Sequence, residues 1–465
     1  MASPSTPPRS DAFVLFGATG DLAYKKVFPA LQRMVRRGHL DVPIVGVARA
    51  GWDLDQLRDY VRGSLQEHGD GVDEAAFERF AKLLRYVDGD YNEAETFRLL
   101  RRELASSAHP IHYLAIPPSM FPVVIEHLGR SGCATGARVI VEKPFGRDVA
   151  SAKALNETLH TIFAEADVFR IDHYLGKEAV QNLVVFRFAN TFLEPIWNRN
   201  YVASIQITMA ESFGVQGRGR FYEEAGAIRD VVQNHLLQVV SLLAMEPPLT
   251  SYPPSIRDEQ VKVFRAIRPL SPSDLVRGQF RGYRKEPGVA PNSQVETFAA
   301  LRLRIDSWRW EGVPVFIRAG KCLPTTTTEV LVKLKTPPLG KSASAETNYV
   351  RFRLSGDVTI ALGARVKRSG EAMTSEPAEL KVVHFPDGNE MDAYERLLGD
   401  AMAGDATLFA HEDAVEVAWG IVAPVLGNST PVREYEPGSW GPPEAEQLAA
   451  DVGGWHCPEC AEPSK

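Results

Sequence analysis

Polar side chains that could act together in one reaction are concentrated in residues 170–178. This stretch reads RIDHYLGKE, so an acid, an imidazole, a phenol and an ammonium follow one another closely. If it is helical from His173 onward, His173 and Lys177 are four positions apart and share one helix face. Together with the Tyr174 hydroxyl they would clamp a phosphate group, because all three side chains can donate hydrogen bonds. The alternative is a charged hinge segment between two domains.

Two further stretches carry candidate chemical groups. Residues 224–235 place Asp230 and His235 on one helical stretch, where the commoner role for a single histidine such as His235 is packing in the core. Residues 142–146 read EKPFG and close a predicted strand. Because ligands bind at the carboxyl ends of parallel strands, Lys143 is a candidate for contact with a cofactor and a substrate. The alternative for Lys143 is a solvated structural lysine.

A glycine-rich turn near the N-terminus predicts a nucleotide site. Residues 14–23 read VLFGATGDLA, a strand that passes through Gly17 and Gly20 into a helix. Glycine permits the tight turn and lets a pyrophosphate approach the backbone, while the helix N-terminus supplies N–H donors. The pattern is G-x-x-G and not the full G-x-G-x-x-G, so a merely structural turn is the alternative.

The end of the second predicted strand indicates which dinucleotide binds. An acidic residue there would bind the ribose 2′-hydroxyl of NAD, whereas residues 45–48 are followed by Arg49. A guanidinium pairs with a 2′-phosphate, so the sequence favours NADP. The alternative is that Arg49 is a solvated surface residue.

The elements that must position these groups change in character along the chain. Up to about residue 170, short apolar runs alternate with amphipathic stretches, which predicts βαβ crossovers and a parallel sheet. Beyond residue 175, strand-like runs alternate polar and apolar residues, which indicates a large, mostly antiparallel sheet with flanking helices. We therefore predict an α/β plus α+β protein. It has a Rossmann-like coenzyme domain at 11–175, a β+α substrate and dimerisation domain at 176–455, and flexible tails at 1–10 and 456–465.

Composition is that of an ordinary multi-domain soluble chain. The 465 residues include 52 Lys and Arg against 59 Asp and Glu, a net charge of -7, which argues against nucleic-acid binding. The N-terminus lacks the apolar core of a secretory signal, and no apolar run reaches the roughly 18–20 residues of a membrane span. With 4 cysteines in the whole chain, we expect a reducing, cytoplasmic location and no membrane partner.

Two of the cysteines, Cys457 and Cys460, form a C-x-x-C pair beside His456. A zinc or redox site would need a second ligand pair or a flanking strand–helix unit, and the sequence shows neither. We therefore predict no metal site and assign the pair to the tail.

The motifs in their order resemble the glucose-6-phosphate dehydrogenase family. The resemblance runs from about Ala12 to Gly453 and rests on GATGDLA, LAIPP, IVEKPFGRD, RIDHYLGKE, IRDVVQNHLLQ, GVPVFIRAGK and GSWGPPEA. It implies oxidation of D-glucose 6-phosphate at C1 to 6-phospho-D-glucono-1,5-lactone, with reduction of NADP⁺. It also implies an N-terminal coenzyme domain and a large sheet that forms a dimer interface, so we expect a homodimer or tetramer.

The resemblance assigns a role to each matched residue. His235 matches the general base that takes the proton from the C1 hydroxyl, and Asp172 matches the carboxylate that orients this histidine. Ligands of the substrate phosphate are matched by His173, Tyr174 and Lys177. Residues around the sugar ring are matched by Lys143, Glu211, Asp230 and Lys321. The coenzyme-binding residues implied are Gly17, Thr19, Gly20, Asp21, Leu22, Arg49, Pro117 and Lys143.

Several positions depart from the family pattern. Thr326 stands where a second basic residue usually follows the Gly-Lys pair, Ala50 stands where a polar residue often helps to hold the 2′-phosphate, and Tyr24 replaces a common lysine. These departures leave open some use of NAD and the exact sugar substrate. The alternatives are a sugar dehydrogenase of the inositol-dehydrogenase type, or a catalytically idle paralogue that binds NADP.

Overall fold

Strands and helices alternate in the first part of the chain, and strands dominate much of the rest. The computed structural model describes residues 7–104, 106–249, 253–337, 348–356, 358–383 and 390–458. The strands are β1 (Ala12–Phe16), β2 (Ile44–Ala48), β3 (Leu84–Asp88), β4 (Pro110–Leu114), β5 (Arg138–Glu142), β6 (Val168–Ile171), β7 (Val202–Ala210), β8 (Leu275–Phe280), β9 (Phe298–Leu303), β10 (Val315–Gly320), β11 (Thr327–Leu334), β12 (Tyr349–Arg353), β13 (Thr359–Lys367), β14 (Ser375–Val383) and β15 (Val432–Tyr435).

The helices occupy most of the intervals between these strands. They are α1 (Phe28–Arg36), α2 (Leu54–His68), α3 (Glu74–Leu83), α4 (Ala94–Glu103), α5 (Phe121–Ser131), α6 (Val149–His160), α7 (Glu178–Ala189), α8 (Gly219–Ala227), α9 (Leu237–Ala244), α10 (Pro253–Ala266), α11 (Ala393–Ala403), α12 (Glu412–Val422) and α13 (Glu444–Leu448). Two π-helical segments, Ala23–Val27 and Ile228–Leu236, lead into α1 and α9.

The chain divides into two compact units. Unit 1 contains the described residues of Met1–Lys177, Leu249–Arg257 and Met391–Glu416. Unit 2 contains the described residues of Glu178–Pro248, Asp258–Glu390 and Val417–Lys465. Two later segments of the chain, one of which includes α11, therefore belong to the unit that holds the N-terminal strands.

Unit 1 is built on a parallel sheet. Across its described residues the strand order is β3-β2-β1-β4-β5-β6, and each of these pairings is parallel. β1 is apolar and buried at all of its positions, as expected for a strand with helices on both faces. The order reverses between β1 and β4, which is the point where open α/β sheets bind ligands. The predicted Rossmann-like fold is confirmed.

Unit 2 contains a larger mixed sheet. Its order over the described residues is β14-β13-β12-β11-β7-β10-β9-β8-β15. Two of its pairings, β7 with β10 and β8 with β15, are parallel, and the remaining ones are antiparallel. The prediction of a large, mostly antiparallel sheet is confirmed.

Several elements escaped the sequence patterns because their residues are not simply apolar. β3 reads LRYVD and lies at the edge of its sheet, where it buries Leu84 and Val87 and exposes Arg85 and Asp88. β8 reads LVRGQF and buries Arg277 and Gln279 within a mixed run, so no apolar alternation marks it. Other elements without a predicted counterpart include β6, β14, β15, α3, α7, α10, α12 and α13.

Residues next to both ends of the chain are held by hydrogen bonds. The Arg138 guanidinium in unit 1 donates to the Pro8 carbonyl at 2.8 Å and to the Ser10 hydroxyl at 3.0 Å. In unit 2, the Arg318 guanidinium donates to the His456 carbonyl at 3.0 Å, and the His456 N–H donates to Gln206 at 2.7 Å. These contacts fix residues that the sequence had assigned to flexible tails.

Within the part of the chain that the structure describes, no helix is long and apolar enough to cross a membrane. Cys133 and Cys322 are free thiols. Cys460, the second cysteine of the C-x-x-C pair, lies outside the described residues, so the interpretation of that pair stays a prediction.

Candidate active site

The glycine-rich turn follows β1 at the switch point of the parallel sheet. Gly17 has a φ of 80°, and a Cβ at this position would lie 2.3 Å from the carbonyl oxygen of Ala115, so only glycine fits. The Gly20 N–H donates to the Gly17 carbonyl at 2.9 Å and closes the turn, while Leu22 packs on the core of unit 1. Because Gly17 and Gly20 have no side chains, a dinucleotide pyrophosphate can approach the backbone of this turn closely. The polar members of the turn, partly or fully exposed, are Thr19 and Asp21.

Arg49 follows β2 directly, at the same edge of the sheet as the glycine turn. Its side chain is 74% exposed and forms an ion pair with Asp90, two residues beyond β3. The carboxylate of Asp88 accepts hydrogen bonds from the N–H groups of Ala50 and Gly51 at 2.9 and 2.8 Å. The guanidinium therefore stands where a 2′-phosphate is expected, but beside two carboxylates that the sequence analysis did not single out.

Pro117 and Lys143 follow the neighbouring strands β4 and β5, so they lie along the same edge of the parallel sheet. Next to Lys143, the Glu142 carboxylate accepts a hydrogen bond from the Tyr113 hydroxyl at 2.6 Å. Burial raises the pKa of Glu142 to about 7, although the Tyr113 hydrogen bond and the Lys143 charge act in the opposite direction. The end of β5 thus carries an ammonium beside a carboxyl group that titrates near neutral pH.

Residues 173–177 are not helical, so His173 and Lys177 do not share one helix face. These residues form consecutive turns, in which Leu175 N–H donates to the Asp172 carbonyl at 3.0 Å and Lys177 N–H donates to the Tyr174 carbonyl at 3.1 Å. The Asp172 carboxylate accepts from the Tyr174 N–H at 3.0 Å, a local bond that favours a turn over a helix, and α7 begins only at Glu178.

The turn nevertheless brings the predicted phosphate ligands together. The Lys177 ammonium lies 3.7 Å from the centroid of the Tyr174 ring, and the His173 ring is adjacent to Tyr174 at 5.4 Å between centroids. His173 also stacks on Tyr394 of α11, with an angle of 12° between the rings. The clamp therefore depends on a tight turn braced by α11 and not on one helix face.

Three ammonium groups act on one another at this end of unit 1. Burial lowers the pKa of Lys177, the Asp172 charge raises it, and the charges of Lys26 and Lys143 lower it again. A bound anion would reduce the repulsion between like charges in such a partly buried site. Lys26 comes from the π-helical segment after the glycine turn, and sequence reasoning did not give it this role.

In unit 2, Glu211 and Lys321 follow the parallel neighbours β7 and β10. The register pairs Ala210 with Gly320, so the two strands end together, and the Lys321 ammonium donates to the Glu211 carboxylate at 2.6 Å. The same ammonium lies 5.3 Å from the Phe213 ring and 5.1 Å from the Tyr222 ring. A carboxylate, an ammonium and two aromatic rings therefore lie together where the two strands end.

Tyr222 also connects this pair to Asp230. Burial raises the pKa of Tyr222 well above its ordinary value, and the charges of Asp230 and Glu211 raise it further. The Tyr222 phenol therefore stays protonated near the two carboxylates. Neither Tyr222 nor Phe213 was singled out from the sequence, because isolated aromatic residues are usually part of the core.

Asp230 and His235 both lie in the π-helical segment that precedes α9. They are five positions apart, the hydrogen-bonding interval of a π-helix, so they lie one turn apart on the same segment. His235 is only 2% exposed, and its backbone N–H donates to Asn234 Oδ1 at 2.7 Å. Such π-helical turns interrupt the regular ladder and occur often at functional sites.

A buried carboxylate fixes the start of this segment. The Ile228 N–H donates to Glu296 Oε1 at 3.2 Å, and the Arg277 guanidinium holds Glu296 Oε2 at 2.9 Å. Gly226, with a φ of 64°, makes the bend before it, and a Cβ there would lie 2.5 Å from Glu296 Oε1. Glu296 thus anchors the segment that carries His235, a role the sequence analysis missed because Glu296 is distant in the chain.

Thr326 lies next to the sugar-binding candidates of unit 2. Its hydroxyl accepts a hydrogen bond from the Ser212 N–H at 3.0 Å and is 2.8 Å from the Ser212 hydroxyl. Since Ser212 follows Glu211, the position that lacks the family's second basic residue is coupled to the loop that carries Glu211.

Comparison with known proteins places both parts of the chain in one class of protein. Residues 14–182 match the model of the glucose-6-phosphate dehydrogenase NAD binding domain, and residues 184–456 match that of the glucose-6-phosphate dehydrogenase C-terminal domain. A protein of Mycobacterium tuberculosis named glucose-6-phosphate 1-dehydrogenase 1 is 43% identical over 459 residues, which is 97% of each chain. With the parallel sheet, the glycine turn and Arg49, these matches define a nicotinamide-dependent oxidoreductase.

Two solved structures are similar over almost the whole chain. A glucose-6-phosphate 1-dehydrogenase from Mycobacterium avium is 43% identical with a TM-score of 0.89, covering 97% of this chain and 99% of its own. A glucose-6-phosphate dehydrogenase in complex with glucose 6-phosphate is 35% identical with a TM-score of 0.91, covering 98% and 100%. The chain belongs to the glucose-6-phosphate dehydrogenase family, and the resemblance predicted from its motifs is confirmed.

Family membership gives the activity that the motifs predicted. The protein is an oxidoreductase that oxidises D-glucose 6-phosphate at C1 to 6-phospho-D-glucono-1,5-lactone and uses NADP. Neither the sugar dehydrogenase of the inositol-dehydrogenase type nor the idle paralogue receives support from these matches.

Proposed function

We propose that His235 is the general base of this oxidation and takes the proton from the C1 hydroxyl. The observation that carries the assignment is its burial in a π-helical segment anchored by Glu296, in the motif that the family uses for its base. Asp172 is the proposed carboxylate partner, which orients the imidazole and stabilises its protonated form. When bound, NADP⁺ supplies the acceptor for the hydride that leaves C1.

The proposed phosphate ligands are the three side chains of the turn after β6. His173, Tyr174 and Lys177 donate hydrogen bonds to the substrate phosphate, and the mutual repulsion of the nearby ammonium groups favours an anion there. The sugar hydroxyls are the proposed ligands of the unit 2 groups and of the lysine after β5, namely Glu211, Asp230, Lys321 and Lys143.

The proposed coenzyme site lies along the carboxyl edge of the parallel sheet. Gly17, Thr19, Gly20, Asp21 and Leu22 form the turn that holds the pyrophosphate. Arg49 pairs with the 2′-phosphate, and Pro117 and Lys143 flank the nicotinamide end. Support comes from the bare backbone at Gly17 and from the common edge on which these residues lie.

The experiment follows the absorbance of reduced nicotinamide with purified protein and a panel of sugars with and without a 6-phosphate. We expect turnover with glucose 6-phosphate and NADP⁺, and a much lower kcat/KM for free glucose. His235→Asn should lose roughly 10²–10⁴-fold in kcat and still bind coenzyme. His160→Asn, a change at a histidine paired with Glu412 and given no catalytic role, is the matched control. Turnover by His235→Asn within a few-fold of wild type would overturn the base assignment.

We also propose that the chain assembles through the sheet of unit 2 as a homodimer or tetramer. Leu380 and Val382 of β14 are 66% and 62% exposed and occupy alternate positions, so they share one face. Light scattering should show a dimer or larger species, and Leu380→Asp with Val382→Asp should shift it to monomer. Met373→Asp, at an exposed turn between β13 and β14, should not. A double variant that stays fully assembled would exclude this face.

The remaining proposals concern location and domain limits. We propose a cytoplasmic enzyme, and fractionation of cells with the dehydrogenase activity as readout tests this. Residues 11–175 and 176–455 are kept as the proposed coenzyme and substrate domains. Hydrogen exchange of the whole chain, read by mass spectrometry, should show two regions that open independently on either side of residue 175 if that boundary is correct.

A further inference from the structure

The anion-binding groups after β2 are already engaged by carboxylates of the chain itself. Arg49 forms its ion pair with Asp90, and the N–H groups of Ala50 and Gly51 both donate to Asp88 Oδ1, at 2.9 and 2.8 Å. Over the described residues, Asp90 is the acid that lies within ion-pair distance of Arg49. A guanidinium next to two free N–H groups would suit a 2′-phosphate, but here each of these donors has an acidic partner.

The acidic segment is placed against the coenzyme turn by its own contacts. β3 pairs with β2 so that Asp88 lies opposite Ala48, the residue before Arg49. The Tyr91 hydroxyl accepts a hydrogen bond from the Gly17 N–H at 2.8 Å and donates to the Val47 carbonyl at 2.9 Å. Asp90 therefore lies between a tyrosine bound to the glycine turn and the arginine at the strand end.

Asp90 is held in this position as a charged group. Its Oδ1 accepts hydrogen bonds from the Asn92 N–H at 2.9 Å and from the Asn92 amide at 2.8 Å, which leaves Oδ2 for Arg49. The hydrogen bond from the Asn92 N–H, that from its side chain and that from Arg49 lower the pKa of Asp90. The carboxylate is consequently ionised at neutral pH.

We propose that Asp90 is a coenzyme-specificity residue that weakens the preference of this enzyme for NADP⁺ over NAD⁺. It competes with the 2′-phosphate for the Arg49 guanidinium and repels a group that carries about two negative charges. NAD⁺ has a neutral 2′-hydroxyl at the same place. This hydroxyl can donate a hydrogen bond to a carboxylate. The inference rests on the proposed coenzyme site and adds a determinant that follows the third strand, whereas Arg49 follows the second.

The test is the ratio of affinities for the two reduced coenzymes. NADPH and NADH are titrated separately into the full-length protein, with nicotinamide fluorescence as the readout, and kcat/KM is measured with both oxidised coenzymes. Asp90→Asn removes the charge but keeps an oxygen that can accept from Asn92. We expect the ratio of affinities to shift about tenfold toward NADPH, since an exposed pair of charges is screened but not abolished by water.

Asp55→Asn is the matched control, because Asp55 forms an exposed ion pair with Arg58 at 2.8 Å on α2 of the same unit. It should leave the ratio unchanged. In an Arg49→Ala background, Asp90→Asn should still shift the ratio toward NADPH but by less than in wild type, because the competition for the guanidinium is gone and only the direct repulsion of the 2′-phosphate remains. A ratio within about twofold of wild type in Asp90→Asn, or an equally large shift without Arg49, would overturn the inference.

These outcomes are separable from failure of the proposed function. If the protein oxidises glucose 6-phosphate but Asp90→Asn leaves the ratio of NADPH to NADH affinities unchanged, only the specificity role of Asp90 is refuted. A protein that binds neither NADPH nor NADH refutes the coenzyme site on which the role depends.

Discussion

Replacing Glu296 with alanine should destabilise unit 2 and slow the reaction together. Its carboxylate accepts hydrogen bonds from the Ile228 N–H at 3.2 Å and from two Arg277 nitrogens at 3.1 and 2.9 Å. The side chains of Arg277 and Glu296 are only 3% and 6% exposed. Alanine would leave the buried guanidinium with the carbonyl oxygens of Thr430 and Gln294 as its acceptors, and the Ile228 N–H without its cap.

The magnitude follows from the burial of the pair. Removing one partner of a buried ion pair costs about 3–5 kcal/mol, because the remaining charge is left uncompensated. A domain is stable by only about 5–15 kcal/mol, so this loss is a large fraction of the total. Glu296→Gln keeps an oxygen for Ile228 and loses the charge, so we expect an intermediate loss of roughly 1–3 kcal/mol.

The assay combines urea unfolding of the full-length protein with kcat for glucose 6-phosphate. Asp306→Ala, which breaks the exposed pair with Arg268, is the control and should leave the unfolding midpoint and kcat unchanged. We expect kcat to fall in the order wild type, Glu296→Gln, Glu296→Ala, because the anchored segment carries His235. If Glu296→Ala unfolds within about 1 kcal/mol of wild type and keeps its kcat, the anchoring argument is wrong.

Further predictions address the other parts of the site. Lys177→Ala should raise KM for glucose 6-phosphate by about 10-fold or more and leave the low activity on free glucose unchanged, since a charge-assisted bond to a phosphate is worth roughly 1.5–3 kcal/mol; equal effects on both sugars would exclude the clamp. Arg49→Ala should weaken NADP⁺ far more than NAD⁺, as titrations of both coenzymes would show, and equal losses would contradict the pairing with the 2′-phosphate. Glu142 has a folded-state pKa raised by burial to about 7, from an ordinary value of 4.5. Its contribution to stability is therefore present below about pH 4.5 and is lost as the pH rises to about 7, by about 3 kcal/mol in total. Glu142→Gln should flatten the dependence of unfolding free energy on pH between 5 and 8, and an unchanged slope would refute the assignment.

Motifs that are contiguous in the chain made much of this protein predictable. The glycine turn at Gly17 and the strand before it are read directly from local residue types, because a buried strand and a tight turn are decided by neighbours in sequence. The alternation of strands and helices likewise predicted a parallel sheet, although not the order of its strands. The activity also followed, because RIDHYLGKE and IRDVVQNHLLQ are long enough to identify a family.

Groups that meet across strands could not be found in this way. Three pairs of groups are separated by tens of residues and come together only through strand pairing and packing. They are Asp90 with Arg49, Glu296 with the segment that carries His235, and Tyr222 with Lys321. Residues 173–177 are not helical for a local reason, since the Asp172 carboxylate binds the Tyr174 N–H and stabilises a turn. The fold class could be predicted because alternating polar and apolar residues recur along the chain, and the reaction because two contiguous motifs identify the family. Which charges interact could be learned only from the tertiary structure, because the strength of an electrostatic interaction depends on the distance between the groups in space and not on their separation along the chain.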